Sequence, residues 1–444
     1  MKSAVELVQS YRKGEQSPVA VIEEMLAAIN ASPLNAFITV CAEQAKQEAE
    51  AAEQRLSAGE AGGALLGVPV AVKDLVEVAG YRTTMGSEQY LENESSTDAE
   101  VVRLLRKEGA IVIGKANTHQ FAYGSTGDRS DFGPVKNPAD LSRMPGGSSS
   151  GSAAAVAAGL AYGAVGTDTS ASIRLPAALC GVVGMKASLG LVSKRGVFPL
   201  SKTLDYTGPI SADVRDNAVF LEVMSGKEPG TYTRKLDVGL QGLTIGVPQR
   251  FFTEYLSPSV ANSLQEAIRA FEAAGCTVKS VEIDHIQQIY EAQQLILKTE
   301  AYAVHEAALL KGAPYIAEVK ERLLGGKDTL AVDYLRSLDF QQTAIASFDT
   351  ALEDVDVLLT ATCGITARLL DERQTPLNGE THHTPWLLTR LTAPTNFSGH
   401  PSLSVPFLRD EEGLPIGLQL IGKMHDEATL YQVGAGLEAC VSSM

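Results

Sequence analysis

From Leu66 onward, short β-branched runs alternate with helical segments, and no other feature of the sequence restricts the fold as strongly. The apolar run at 68–72 predicts a strand, the periodic stretch at 99–107 a helix, and 110–113 a second strand. Such alternation argues for an α/β sheet. Ahead of it, Ser17-Pro18 has the form of a cap and first helical turn, opening a periodic segment to about Ile29, and 42–56 is a second exposed helix rich in Ala and Glu. Segment 1–60 is therefore expected to be helical.

Past Gly226 the pattern becomes more helical. Ser257-Pro258 starts a helix to about Ala274, a strand is expected at 277–283, and long amphipathic segments follow at 285–310 and 330–352. Strand character returns at 355–360, 402–406 and 415–421, before a closing helix at 427–439. Strands flank the helical stretch on both sides, so one continuous sheet in a single domain over 1–444 is expected, with a core at 66–225, a helical insert at 227–350 and a return to the sheet at 353–444.

Several function classes are excluded early. With 444 residues and 45% hydrophobic side chains, the chain can bury a large core. No run of about 18 apolar residues occurs and the N-terminus is amphipathic, so no membrane association is expected, and the location is read as cytoplasmic. A formal charge of -16 without clustered Lys and Arg argues against nucleic-acid partners. The five cysteines are scattered without a CxxC pair, and the seven histidines, including His382-His383, lack metal spacing. No metal or cofactor is expected, and the histidines are assigned to the surface or to pocket walls.

Three local features could carry chemistry. Lys73 ends the apolar run Val68, Pro69, Val70, Ala71, Val72; a serine-glycine loop spans 146–152; and a third segment reads Gly166-Thr167-Asp168-Thr169-Ser170-Ala171-Ser172-Ile173-Arg174. Each alone is weak, since a lysine at a strand end usually lies at the surface and Gly/Ser stretches usually form turns. Gly147-Ser148-Ser149-Ser150-Gly151 formally fits a nucleophile elbow, but that motif needs a strand running into the serine, and 137–145 is loop-like. A phosphate cradle is also rejected, because the Walker lysine is missing.

Together, the three features closely resemble the amidase signature family. That family has a V-A-V-K-D-type strand, a P-G-G-S-S-x-G-S loop and a G-T-D-T-x-x-S-I-R-x-P-A segment. Its separations are matched here by Lys73, Ser148 and Ser172. The likeness extends through Gly133-Pro134-Val135-Lys136-Asn137-Pro138, Cys180-Gly181-Val182-Val183-Gly184-Met185-Lys186 and Gly413-Leu414-Pro415-Ile416-Gly417-Leu418-Gln419. The resemblance implies a mixed central β-sheet covered by helices on both faces, with the region at 227–350 shaping the pocket. It implies a catalytic set of Lys73, Ser148 and Ser172, a cis bond at Gly147-Ser148, and an oxyanion hole from the backbone N–H groups of Thr169, Ser170, Ala171 and Ser172. Tyr123 and Ser125 match a pocket-facing loop, and a homodimer is compatible with the family's habits.

The chemistry explains the residue types. An amide carbonyl is a poor electrophile, so the Ser172 hydroxyl must lose its proton as it attacks. Lys73, desolvated in an apolar strand, can be a neutral base, and Ser148 can both accept and donate, passing the proton between them. The expected reaction is hydrolysis of a small-molecule amide to an acid and ammonia or an amine. Ser170-Ala171 departs from the family's usual Gly-Gly; if that turn requires positive φ, the cost is on the order of 1 kcal/mol per residue. Asp168, Arg174 and Asp205 are read as groups that hold backbone rather than as acids or bases.

A glutaminase subunit of a tRNA-dependent amidotransferase shares nearly the same signature. The short tail after 427–439, the replacement of that subunit's Arg-containing helix by 335–352, and Thr389 in place of its glutamine-binding Asp favour a free-standing amidase. A noncatalytic scaffold would have no chemical reason to retain Lys73, Ser148 and Ser172 together.

Overall fold

The computed structural model describes residues 3–60 and 62–442. Its strands are β1 (Phe37–Val40), β2 (Pro69–Lys73), β3 (Ile111–Ala116), β4 (Gly163–Asp168), β5 (Val183–Lys186), β6 (Tyr206–Ser211), β7 (Thr244–Pro248), β8 (Thr277–Val281), β9 (Val357–Ala361), β10 (Gln374–Leu377), β11 (Glu380–His383), β12 (Ser402–Arg409) and β13 (Pro415–Gly422). One 11-stranded sheet takes the order β1-β3-β2-β4-β6-β5-β12-β13-β9-β7-β8, and β10 and β11 form a separate hairpin. The large sheet is mixed: β2 runs parallel to β3 and β4, and β7 parallel to β8 and β9, whereas the pairs from β4 across to β9 are antiparallel.

Every residue of β2, β3, β4, β6, β9 and β13 is buried, so both faces are covered in this part of the sheet. That double burial explains why these strands read as short apolar runs rather than as alternating patterns. The helix Ser150–Ala157 packs on β2 and β4, Arg174–Cys180 on β5, β12 and β13, and Glu427–Ser442 on β12. The α/β expectation is met.

Local signals set several boundaries. Ser17 accepts the N–H of Ala20 and Pro18 occupies the first turn, starting the helix Pro18–Ala31. The helix Ser150–Ala157 begins inside the serine-glycine loop, and its first turn lies against other backbone. A Cβ at Gly151 would come within 2.3 Å of the Ala36 carbonyl oxygen, so only glycine fits that turn.

Segment 227–350 divides into two parts. Its first part supplies β7, the helix Pro258–Ala273 and β8 to the sheet edge; the remainder is helical and overlies the site. The long amphipathic segment at 330–352 is made of two helices, Ala331–Asp339 and Gln341–Ala351, meeting at Phe340. Among the described residues, no helix is long and apolar enough to cross a membrane.

Candidate active site

Lys73 lies at the carboxyl end of β2, beside the carboxyl end of its parallel neighbour β4, and its side chain is fully buried. Its Nζ is 2.7 Å from Ser148 Oγ and 2.7 Å from Thr167 Oγ1. Burial pulls the amine down to about 7, against the smaller upward pull of the Asp168 and Asp205 carboxylates. As a neutral amine, Lys73 can donate to Thr167 while its lone pair receives the Ser148 hydroxyl proton.

The loop carrying Ser148 is held from several sides. The Gly147-Ser148 peptide is cis. The Ser148 carbonyl accepts from the His119 N–H (3.2 Å) and from Thr118 Oγ1 (2.9 Å). Ser149 then ties this loop to the third segment. Its hydroxyl donates to the Thr167 carbonyl (3.1 Å) and accepts the Thr167 N–H (3.2 Å), while its own N–H donates to the Ser172 carbonyl at 3.2 Å.

Past β4 the chain turns through 169–173 into the helix Arg174–Cys180. Asp168 accepts the Ile173 N–H at 3.1 Å and forms a fully buried ion pair with Arg174 at 2.8 Å. Burial alone would raise the Asp168 carboxyl, but Arg174 and Asn396 hold it below its ordinary range. Arg174 also donates to the Thr392 carbonyl, Thr395 Oγ1, Gln419 Oε1, Asn396 Oδ1 and, at 3.3 Å, the Ser170 carbonyl. Asp205 accepts from Thr169 Oγ1 (2.6 Å) and from the Leu200 and Ser201 N–H groups; burial raises its carboxyl to about 6. The Thr169 carbonyl accepts from Gln293 Nε2 at 3.1 Å, so the carbonyls of 169 and 170 are both held by side chains. Among the described residues, the backbone N–H groups of Ser170, Ala171 and Ser172 donate to nothing in the chain.

Neither Ser170 nor Ala171 has positive φ, so the strain considered for a departure from Gly-Gly is absent. Ser170 instead gains a partner, because Gln293 Nε2 donates to its Oγ at 2.8 Å. The Ser172 hydroxyl forms no hydrogen bond among the described residues, and none joins it to Ser148. It faces a cleft of about 360 Å³ lined by Ala122–Ser125, Thr169–Ser172, Leu200, Tyr290, Gln294, Leu297, Lys298, Arg322, His383, Pro385, Trp386 and Thr389. Two cations and no carboxylate contribute to these walls. Among the described residues, no group of three His, Cys, Asp or Glu is placed to hold a metal ion.

The family model for amidase matches residues 20–431. The chain belongs to the amidase family. It is accordingly a hydrolase of amide C–N bonds. The A subunit of the glutamyl-tRNA(Gln) amidotransferase of Thioalkalivibrio sulfidiphilus is 38% identical over 470 residues, covering 97% of this chain and 96% of that one. Among solved structures, one described as an amidase superposes with a TM-score of 0.93 at 33% identity, covering 99% of this chain and all of the other. The corresponding A subunit from Thermotoga maritima superposes with a TM-score of 0.79 at 31% identity, covering 96% and 95%.

In this amidase the structure gathers every residue singled out from the sequence. Lys73 and Ser148 are hydrogen-bonded behind the cleft, while Thr169, Ser170, Ala171, Ser172, Tyr123 and Ser125 line it. Tyr123 is buried, which pushes its hydroxyl up to about 12, and Ser125 Oγ is buried without a hydrogen-bond partner among the described residues. Thr167 lies within the third motif, where nothing in the sequence gave it a role. Gln293, Arg322 and Trp386 were missed, since nothing local ties them to the three motif segments. Arg322 donates to the Tyr123 carbonyl (3.0 Å) and to Glu318, and Trp386 stacks on His382. The assignment of the histidines to surface or pocket is corrected for three of them: His119, His305 and His400 are buried, and none of them lines the cleft.

Proposed function

We propose that this protein is a free-standing amidase that hydrolyses a small-molecule carboxylic amide through an acyl-enzyme on Ser172. Lys73 is the base and Ser148 the relay. The observation that carries the reading is the 2.7 Å contact between Ser148 Oγ and a fully buried lysine amine whose proton affinity is lowered to about 7. Such a lysine is about half neutral at pH 7, where an exposed one is almost wholly charged.

In acylation, the Ser172 Oγ–H bond breaks as Oγ bonds to the amide carbon. The proton moves to Ser148 Oγ as the Ser148 proton moves to Lys73 Nζ. The unpaired N–H groups of 170–172 stabilise the oxyanion. Lys73 returns its proton through Ser148 to the departing nitrogen, and the C–N bond breaks. A water then repeats the sequence on the ester, giving the carboxylic acid and restoring Ser172.

The cleft supports a small, partly apolar substrate. Tyr290, Leu297 and Trp386 form apolar walls, and Arg322 and Lys298 supply positive charge suited to a polar or anionic end. A second reading, a glutaminase subunit, is favoured by the sequence likeness to amidotransferase A subunits. Against it, Thr389 and the other wall residues supply no carboxylate for an α-ammonium group.

The test is ammonia or amine release from short-chain, aromatic, peptide and urea-type amides and from glutamine, using the protein alone. Release from a simple amide without a partner supports the free-standing reading. Turnover confined to glutamine and dependent on an added partner protein would replace it. Ser172→Ala should abolish turnover and fluorophosphonate labelling in a chain that melts like the parent, and retention of either would sink the acyl-enzyme.

A further inference from the structure

The helix Ile286–Leu310 crosses the floor of the cleft and sends one fully buried side chain, Gln293, behind the nucleophile loop. Gln293 Nε2 donates to the Thr169 carbonyl at 3.1 Å and to Ser170 Oγ at 2.8 Å, while its Oε1 accepts from Gln294 Nε2 at 2.6 Å. The Thr169 carbonyl can only accept, which fixes the orientation of the Gln293 amide.

A trans peptide is planar, with its C=O and N–H pointing opposite ways. Holding the Thr169 oxygen from behind therefore aims the Ser170 N–H forward, toward the cleft. Arg174 grips the next carbonyl, that of Ser170, and aims the Ala171 N–H by the same rule. Arg174 belongs to the motif segment, whereas Gln293 arrives from a region more than a hundred residues away. Gln294 lines the cleft directly, and among the described residues no donor reaches its Oε1.

We infer that Gln293 is a positioning residue for the oxyanion hole, and that Gln294 couples it to the bound substrate. A substrate N–H or O–H donated to Gln294 Oε1 completes a chain of hydrogen bonds. It runs from the substrate through Gln294 and Gln293 to the Thr169 carbonyl and the Ser170 hydroxyl. Hydrogen bonds in such a chain polarise one another, so a ligand with a donor at this point firms the loop that must hold the oxyanion. The cleft thereby selects amides carrying a donor near the scissile group. The replacement of the usual glycine by Ser170 is explained as well, because its hydroxyl is the second anchor for Gln293.

This inference rests on the oxyanion-hole reading above, and the experiment separates the two. Steady-state kinetics on the best amide of the panel are compared for the parent, Gln293→Leu, Gln293→Glu and Gln294→Leu. Gln293→Leu should lower kcat by about tenfold or more with KM changed less than about twofold, as misplacement of a transition-state contact does. Gln294→Leu should act mainly by raising KM for substrates that carry the donor.

Gln293→Glu is nearly isosteric and decides the matter if the leucine variant folds poorly. Its carboxylate cannot donate, but its protonated form can, so the ratio of its kcat to that of the parent should rise as pH falls from 8 to 5. A purely structural role would leave that ratio flat. A kcat for Gln293→Leu within about twofold of the parent, or a flat Gln293→Glu ratio, overturns the positioning role while Ser172→Ala stays inactive. Turnover by Ser172→Ala would instead remove the reading beneath it.

Discussion

The acid limb of the pH-rate profile is the sharpest consequence of the buried lysine. If Lys73 must be neutral to accept a proton and titrates at about 7, kcat/KM follows its neutral fraction. That fraction is about 9% at pH 6, about half at pH 7 and about 91% at pH 8, a rise of about tenfold across two units. Activity should fall tenfold per unit further into acid and be level above pH 8. The Asp168 and Asp205 carboxylates both pull the amine upward, so removing one charge should carry the limb to lower pH. Asp205→Asn is the suitable variant, because its side-chain oxygen can still accept from the 200–201 backbone. The assay is kcat/KM by continuous ammonia or amine detection from pH 5 to 9.5, since this parameter reports groups of the free enzyme. A profile flat between pH 6 and 8, a limb near the ordinary lysine value, or a shift to higher pH in Asp205→Asn would refute the neutral-lysine mechanism.

Two further predictions concern stability. Arg174→Ala leaves the wholly buried Asp168 carboxylate unpaired and should cost about 3–5 kcal/mol in denaturant unfolding, and Arg174→Lys should not rescue it, because one ammonium cannot reach the acceptors a guanidinium fork serves. Asp216 caps the N-terminal helix Ala4–Arg12 from a buried position, and burial, with Asp213 beside it, raises its carboxyl to about 7. The folded chain therefore holds a proton that the unfolded chain has lost between about pH 4 and 7, and stability falls as pH rises through that window. The melting temperature of Asp216→Asn relative to the parent should accordingly move in the variant's favour from pH 5 to pH 8, and an unchanged or reversed difference would contradict this.

The core of the sheet and the three loops were legible because their signals are local. A buried strand shows as an apolar run, and the motifs around Lys73, Ser148 and Ser172 are contiguous segments. What stayed hidden depends on register and on packing between distant segments. Thr167 meets Lys73 because Val72 of β2 pairs in parallel with Val165 of β4, a register that no single stretch specifies. Arg322 and Trp386 reach the cleft, and Gln293 the loop behind it, from helices whose facing could not be deduced. Other oversights had visible cues: Asn378-Gly379 joins β10 to β11 with both residues at positive φ, a common hairpin turn.

The hub at Arg174 also bears on synthesis of the chain. Its anchors, Thr392, Thr395, Asn396 and Gln419, lie 218 to 245 residues downstream. A ribosome that has already made the segments holding Lys73, Ser148 and Ser172 must continue as far as Gln419, within β13, before the guanidinium gains its last side-chain acceptor. Nascent chains shorter than this carry Lys73, Ser148 and Ser172 before the turn at 169–173 has its full framework, so the site is completed late in translation.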